Sequence, residues 1–279
     1  MEELVKEKLF IFDLDGTLYE GTDHFDYYAK RLLLDVPKES HEAYWKDYER
    51  MKAGEHPVSI GKAYDSKNDA ILTVDPMTLT VVEAVDWEGN SLKDVEEQYG
   101  EQQIQFDFKN VIAIGDGWWL PCACAIHYGV KECYPRYVET KDYMSSDAFE
   151  LEKIPGLAPF LKNLKDQATV VLLTNSDEDD VARLLRELEL TGLFHEVVTS
   201  AQKPTKTKHY FEELVKKYNV EGNQVVSIGD NFINEIAPAL LMGMKAVYIS
   251  DHAKVADHHD LMQVKNMTEW MEQMKPLFK

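Results

Sequence analysis

The chain has 279 residues, 44% of them hydrophobic, which suits a globular protein of one large or two smaller domains, with two as the expectation. Fifty acidic against thirty basic residues leave a formal charge of -20, which argues against nucleic acid or anionic membrane as partner because both would be repelled. The start, Met-Glu-Glu-Leu-Val-Lys-Glu-Lys, lacks an apolar signal core, no stretch reaches the roughly 18 apolar residues that span a bilayer, and three cysteines make no disulfide framework, so a cytoplasmic protein is expected.

The first element is the apolar run 9–12, too short for a helix and rich in β-formers, as a strand buried on both faces of a parallel sheet is. Gly16 ends it and leaves Asp13 and Asp15 at its carboxyl end, where open α/β sheets gather ligands. Carboxylates that close repel unless a cation lies between them, and Mg²⁺, a hard ion that prefers oxygen, suits them. A strand followed by an Asp-Gly turn accounts for the same residues equally well.

After Gly21 the sequence turns helical, with Phe25, Tyr28 and Leu32 at helical spacing and Pro37 as a stop. A second helix is expected over about 39–51, its Tyr44, Trp45 and Tyr48 serving as core. Near residue 70 the pattern changes to two strands, 71–74 and 79–85, around Asp75-Pro76-Met77-Thr78. Trp87-Glu88-Gly89-Asn90 is a further turn, Ser91 could cap a short helix to Tyr99, and alternating Ile104, Phe106 and Phe108 predict another strand. Residues 111–117 read Val-Ile-Ala-Ile-Gly-Asp-Gly, a near copy of Val-Val-Ser-Ile-Gly-Asp-Asn at 225–231. Cys122, Cys124, His127 and Cys133 raise the question of zinc, but two cysteines with one residue between them are cramped for a structural site, and buried thiols with a hydrogen-bonded histidine are favoured. Trp118, Trp119 and the tyrosines of 134–147 carry no recognisable motif.

From Pro155-Gly156 a helix runs to about 166, followed by a strand over 169–173. That strand ends in Thr174-Asn175-Ser176, before four acids at a helix amino terminus, where the dipole favours them. Threonine between strand and helix turns a hydroxyl and N–H groups toward any anion there, although a capped helix explains it too. Lys203-Pro204 opens the next helix, with Lys206 and Lys208 as competing lysines or all three as a solvated start. A buried strand over 224–228 ends in Gly229-Asp230. Helix, turn and closing strand follow to 249, and His252, His258 and His259 in the tail are taken as surface residues.

Asp13-Leu14-Asp15-Gly16-Thr17 resembles the first motif of the haloacid dehalogenase superfamily, most of whose members are Mg²⁺-dependent phosphohydrolases. Thr174, Lys203-Pro204 and Gly229-Asp230 are similar to its second, third and fourth motifs, in order. The family's order selects Asp230 over Asp116. The resemblance implies an α/β fold, a Rossmann-like doubly wound parallel sheet core over 1–20 and 152–279. Residues 21–151 would be an inserted cap, mixed α+β rather than purely helical.

What the resemblance implies for chemistry is an aspartyl-phosphate mechanism on a small phosphorylated metabolite. Asp13 would be the nucleophile and Asp15 the general acid and then base. Thr174, Asn175 and Lys203 would bind the substrate phosphate, with Lys203 neutralising charge. Mg²⁺ would bind Asp13, the Asp15 carbonyl and Asp230. Where the family wants a further acid the chain has Asn234 and Glu235, and Glu235, one methylene longer than aspartate, is assigned to the metal as an outer partner. Asp15 points to oxygen leaving groups, because a halide needs no proton. The alternatives are a phosphomutase with the same motifs, or a catalytically inactive core used as a binding or regulatory module.

Overall fold

The computed structural model describes residues 7–75, 77–93, 95–100, 102–146, 148–251 and 257–275. Strands β1 (Leu9–Phe12), β2 (Thr169–Leu173), β3 (Glu196–Val198), β4 (Val225–Gly229), β5 (Lys245–Ile249) and β6 (Leu261–Val264) form one sheet in the order β6-β5-β4-β1-β2-β3. Every neighbouring pair is parallel. Parallel strands cannot be joined by a hairpin and need a crossover. Helices Glu178–Glu187, Thr207–Tyr218 and Ala237–Leu241 supply three of them.

β1 and β4 are buried at every position, because a strand covered on both faces has no solvent side on which to place polar residues. The chain winds outward from β1 to β3, then returns to the other side of β1 to lay down β4, β5 and β6. The reversal falls between β1 and β4, so their carboxyl ends open a crevice at the switch point of the sheet. Beneath it, Trp270 packs edge-on to Phe12 at 5.7 Å and Phe160 at 5.4 Å between ring centroids. Phe12 and Trp270 are fully buried, and a phenylalanine so buried stabilises the fold by about 1.5–3 kcal/mol.

The chain divides into two compact units, Met1–Gly21 with Leu151–Lys279, and Thr22–Glu150. The first contains the six-stranded sheet and a two-stranded ribbon in which Tyr19 pairs with Lys153 and Glu20 with Glu152, antiparallel. The second has helices Asp23–Leu32, His41–Lys52, Val95–Tyr99, Trp119–His127 and Tyr134–Met144. Its antiparallel sheet runs in the order Val81–Val85, Ala70–Val74, Ala63–Asp65, Val111–Ala113. Turns of this sheet are closed by aspartates that accept backbone N–H groups two and three residues on, as Asp65, Asp75 and Asp107 do, the Asx-turn device.

Three expectations for this unit are corrected. Residues 102–108 form no strand. Their alternation reflects a loop that tucks Phe106 inward and lets Asp107 close the turn into Val111. Leu79 has φ +58° and belongs to the turn, so the strand begins at Val81; Pro76 of that turn lies outside the described residues. Ser91 bridges Val85 instead of capping the helix at 95–99. Among the described residues no helix is long and apolar enough to cross a membrane.

Candidate active site

The Asp13 N–H donates to the Ile228 carbonyl at 2.9 Å, so the last rung of the β1–β4 ladder fixes the base of the site. The chain then turns at Leu14, whose carbonyl accepts from the N–H groups of Thr17 and Leu18. Gly16 makes that turn possible, with φ +70°, a region that side-chain-bearing residues avoid. It also clears space, since a Cβ there would lie 2.1 Å from Asp230 Oδ2. The bare backbone thus lets the carboxylate at the end of β4 come against the loop at the end of β1.

Lys203 is the centre of charge. It is 2% exposed, and its Nζ lies 2.7 Å from Asp13 Oδ1 and 3.0 Å from Glu235 Oε2. Burial acts to lower its pKa, but Asp13 and Glu235 outweigh burial and hold the ammonium above its ordinary value. Burial raises the Asp13 carboxyl, against the pull of Lys203 and with a further push from Asp15. Burial raises Glu235 to about 8, again opposed by Lys203, with Asp13 adding repulsion. Two buried acids facing one buried ammonium carry one negative charge too many, and the excess is relieved by a proton or by a cation.

Glu235 is held in place by a local departure from α-helix. Phe232–Ile236 forms a π-helical turn after β4, a geometry that recurs at functional sites. Asn231 caps it through Oδ1, which accepts from the Asn234 N–H at 3.1 Å. The Asn231 N–H donates to Glu235 Oε1 at 2.8 Å. The side chain of Glu235 therefore folds back over Gly229, where a Cβ would lie 2.4 Å from Oε1, and the extra methylene is absorbed there. Asn234 turns its carbonyl to the Thr207 hydroxyl at 2.6 Å.

Asp13, Asp230 and Glu235 each offer a carboxylate oxygen, all within 4.8 Å of one another. Mg²⁺ takes oxygen ligands in an octahedron, so three carboxylate oxygens gathered this closely are of the right kind to share one ion once they draw in around it. Hard oxygen donors on the axis of the sheet fit that ion well. The side chain of Asp15 is turned elsewhere, its Oδ1 accepting from the Tyr19 hydroxyl at 2.5 Å and its Oδ2 from the Ser176 hydroxyl at 2.7 Å.

Thr174 follows directly on β2 and is fully buried, its N–H donating to the Val198 carbonyl and its Oγ1 accepting from the Ser176 N–H at 3.1 Å. Asn175 uses its carboxamide on Lys203. Oδ1 accepts from the Lys203 N–H at 2.7 Å and Nδ2 donates to the Lys203 carbonyl at 3.0 Å. The fold thus gathers Asp13, Asp15, Thr174, Asn175, Lys203, Asp230 and Glu235 at one edge of the sheet. Tyr19, Ser176 and Asn231 were not legible as members. Ser176 stands two residues beyond Thr174, and Tyr19 one helical turn's count beyond Asp15, so their spacing was the available signal.

The other candidates have surroundings of their own. Asp116 accepts from the Trp118 N–H in the second unit, a local turn. Cys122, Cys124 and Cys133 are free thiols and, among the described residues, form no group of three close ligand atoms with His127. His127 stacks on Trp87 at 3.6 Å and bonds Asp69 at 2.8 Å. His258, His259 and Asp260 do bring ligand atoms within 4.8 Å, at the start of β6, the sheet edge opposite the site. His252 lies outside the described residues.

A parallel sheet in this order, with acids and a buried lysine at its switch point, defines a Rossmann-like α/β protein. Residues 135–243 match the family model described as haloacid dehalogenase-like hydrolase. No curated protein sequence matches the chain. Among solved structures it is similar to YfnB of Bacillus subtilis, described as a HAD-hydrolase and bound to magnesium, at 13% identity over 96% of this chain and 99% of that one, with TM-score 0.53. It is also similar to a 2-haloacid dehalogenase from Pseudomonas syringae pv. tomato (17% identity, 97% and 99% covered, TM-score 0.47). A protein from Haemophilus somnus predicted to be a phosphoglycolate phosphatase gives 17% identity, 96% and 98% covered, and TM-score 0.47. At such identities the first of the three speaks for the fold.

Proposed function

We propose that the protein is a Mg²⁺-dependent phosphohydrolase that transfers the phosphoryl group of a small phosphorylated metabolite to Asp13 and then to water. The observation that carries this reading is the convergence of Asp13, Asp230 and Glu235 within 4.8 Å, with the Lys203 ammonium on two of them. Phosphoryl transfer needs charge neutralised on equatorial oxygens and a nucleophile held in line, and this set is suited to both. Displacement of a halide needs no such cation site, and Asp15 would then have no proton to deliver.

Asp13, kept close to Lys203 and deprotonated when the cation is bound, attacks phosphorus as the bond to the leaving oxygen breaks. Asp15 gives its proton to that oxygen, so the alcohol departs neutral. Asp15, now a carboxylate, takes a proton from the water that attacks phosphorus, and the Asp13 carboxylate is released with inorganic phosphate. Thr174 already accepts the Ser176 N–H, so its own hydroxyl proton is left to donate to a phosphoryl oxygen. Asp13, Asp230 and Glu235 would hold Mg²⁺, with the Asp15 carbonyl, and the ion when bound supplies charge neutralisation at the transferring group.

The test is release of phosphate from p-nitrophenyl phosphate and a panel of phosphorylated metabolites, with Mg²⁺ and with EDTA. Release that requires Mg²⁺ and vanishes in Asp13→Asn supports the reading. A wild-type protein that frees no phosphate from any member overturns it.

A further inference from the structure

We infer that Tyr19 and Ser176 are positioning residues that hold the carboxyl group of Asp15 through both halves of the reaction. The inference rests on Asp15 acting as acid and then base, as proposed above. Both oxygens of Asp15 are occupied, Oδ1 by the Tyr19 hydroxyl at 2.5 Å and Oδ2 by the Ser176 hydroxyl at 2.7 Å.

Neither donor is free to drift. Tyr19 is 2% exposed, and its backbone is paired with Lys153 in the antiparallel ribbon. Ser176 is buried; its N–H donates to Thr174 Oγ1 at 3.1 Å, and its carbonyl accepts from the Ser200 N–H at 2.9 Å. Two hydroxyls from segments 157 residues apart in sequence (176 minus 19), each fixed by backbone hydrogen bonds, therefore converge on one half-buried side chain. Left alone, such a side chain would sample several rotamers.

The kind of donor matters as much as the number. A hydroxyl can donate to a carboxylate or, after rotation, accept from a carboxylic acid, whereas an ammonium or a backbone N–H can only donate. Asp13, which acts as a carboxylate at the start, is held by the Lys203 ammonium. Asp15, which must carry a proton in one half-reaction and lack it in the other, is held by two hydroxyls. The chemistry of each holder matches the task of the residue it holds.

The experiment compares hydrolysis of phenyl phosphate, whose leaving group needs a proton, with that of p-nitrophenyl phosphate, whose leaving group departs readily without one. Tyr19→Phe keeps the ring and loses only the hydroxyl. It is expected to reduce kcat/KM on phenyl phosphate about tenfold more than on p-nitrophenyl phosphate, and Ser176→Ala to do the same. Ser176→Thr, which keeps a hydroxyl, restores the wild-type ratio, and Tyr19→Phe adds no further loss in an Asp15→Asn background. Equal losses on both esters, or additive loss with Asp15→Asn, would overturn the inference. If Asp15→Asn itself shows no preference for the better leaving group, the acid-base assignment fails instead. A crystal structure of the Tyr19→Phe, Ser176→Ala double variant reads the carboxyl geometry directly, without relying on turnover. Rotation or splitting of the Asp15 carboxyl is expected, and an unmoved carboxyl overturns the positioning role.

Discussion

Glu235 lies across the bare Cα of Gly229, so close that a methyl group on Gly229 would sit 2.4 Å from Glu235 Oε1. The glycine before Asp230 is therefore a space reserved for the acid six residues later. Gly229→Ala is expected to push Glu235 off the Asn231 N–H and away from Lys203. Overpacking of this kind costs roughly 1–3 kcal/mol, read as a lower urea midpoint, together with at least tenfold weaker Mg²⁺ binding by calorimetry.

Gly16→Ala attacks the same cluster from the β1 side. The new Cβ meets Asp230 Oδ2 at 2.1 Å and the residue sits at φ +70°, so strain and collision act together. Mg²⁺ affinity is expected to fall at least tenfold. Retention of wild-type affinity would mean that Asp230 does not take part in the metal site.

Lys203→Met leaves Asp13 and Glu235 buried without their shared ammonium. Breaking a buried ion pair from one side costs about 3–5 kcal/mol, measured by chemical denaturation. Part of that loss is expected to return in the Lys203→Met, Glu235→Gln double variant, where one of the stranded charges is gone, while phosphate release stays abolished.

For the metal-free protein the pH dependence has a definite sign. Burial raises Glu235 from 4.5 to about 8, so the folded state holds its proton more tightly than the unfolded chain does. The stability it contributes is fully present below pH 4.5 and is lost as pH rises through about 8. Unfolding free energy in EDTA should fall across that window, and Glu235→Gln should flatten the curve. At the proposed metal site Mg²⁺ would compete with the same proton, so its affinity is expected to rise from pH 6 to 8.

The thiols give a check on the second unit. Cys122 and Cys124 are buried, Cys133 partly open, and the first two are raised, Cys122 chiefly by its contact with Cys133 and Cys124 chiefly by burial. A thiol reagent should label at most one cysteine rapidly in the native protein and three in denaturant, and metal analysis should find no stoichiometric zinc.

The residues whose type is dictated by chemistry were the ones legible in the sequence. Asp13, Asp15, Lys203 and Asp230 stand at strand ends because buried strands read as unbroken apolar runs, and the motif order located them. Tyr19 and Ser176 were missed because a hydroxyl that supports another side chain has no periodic or compositional signature. Asn175 was assigned to phosphate from its neighbourhood, and its carboxamide is instead tied to both backbone groups of Lys203, a pairing across 28 residues that only the fold creates. In the second unit, Ile104, Phe106 and Phe108 alternate like a strand, but alternation alone supplies no partner for the backbone. Leu79 failed as a strand residue because its positive φ leaves no trace in its identity.

The ribbon of Tyr19–Glu20 and Glu152–Lys153 sets the place at which the long insertion leaves the core and returns to it. Departure and return are adjacent, so whatever lies between them adds no constraint to the register of the six-stranded sheet. A different insert, grafted at Gly21 and Leu151, would meet the same fixed doorway. Exchange of segments at that point would replace the second unit while leaving the residues of the core unchanged.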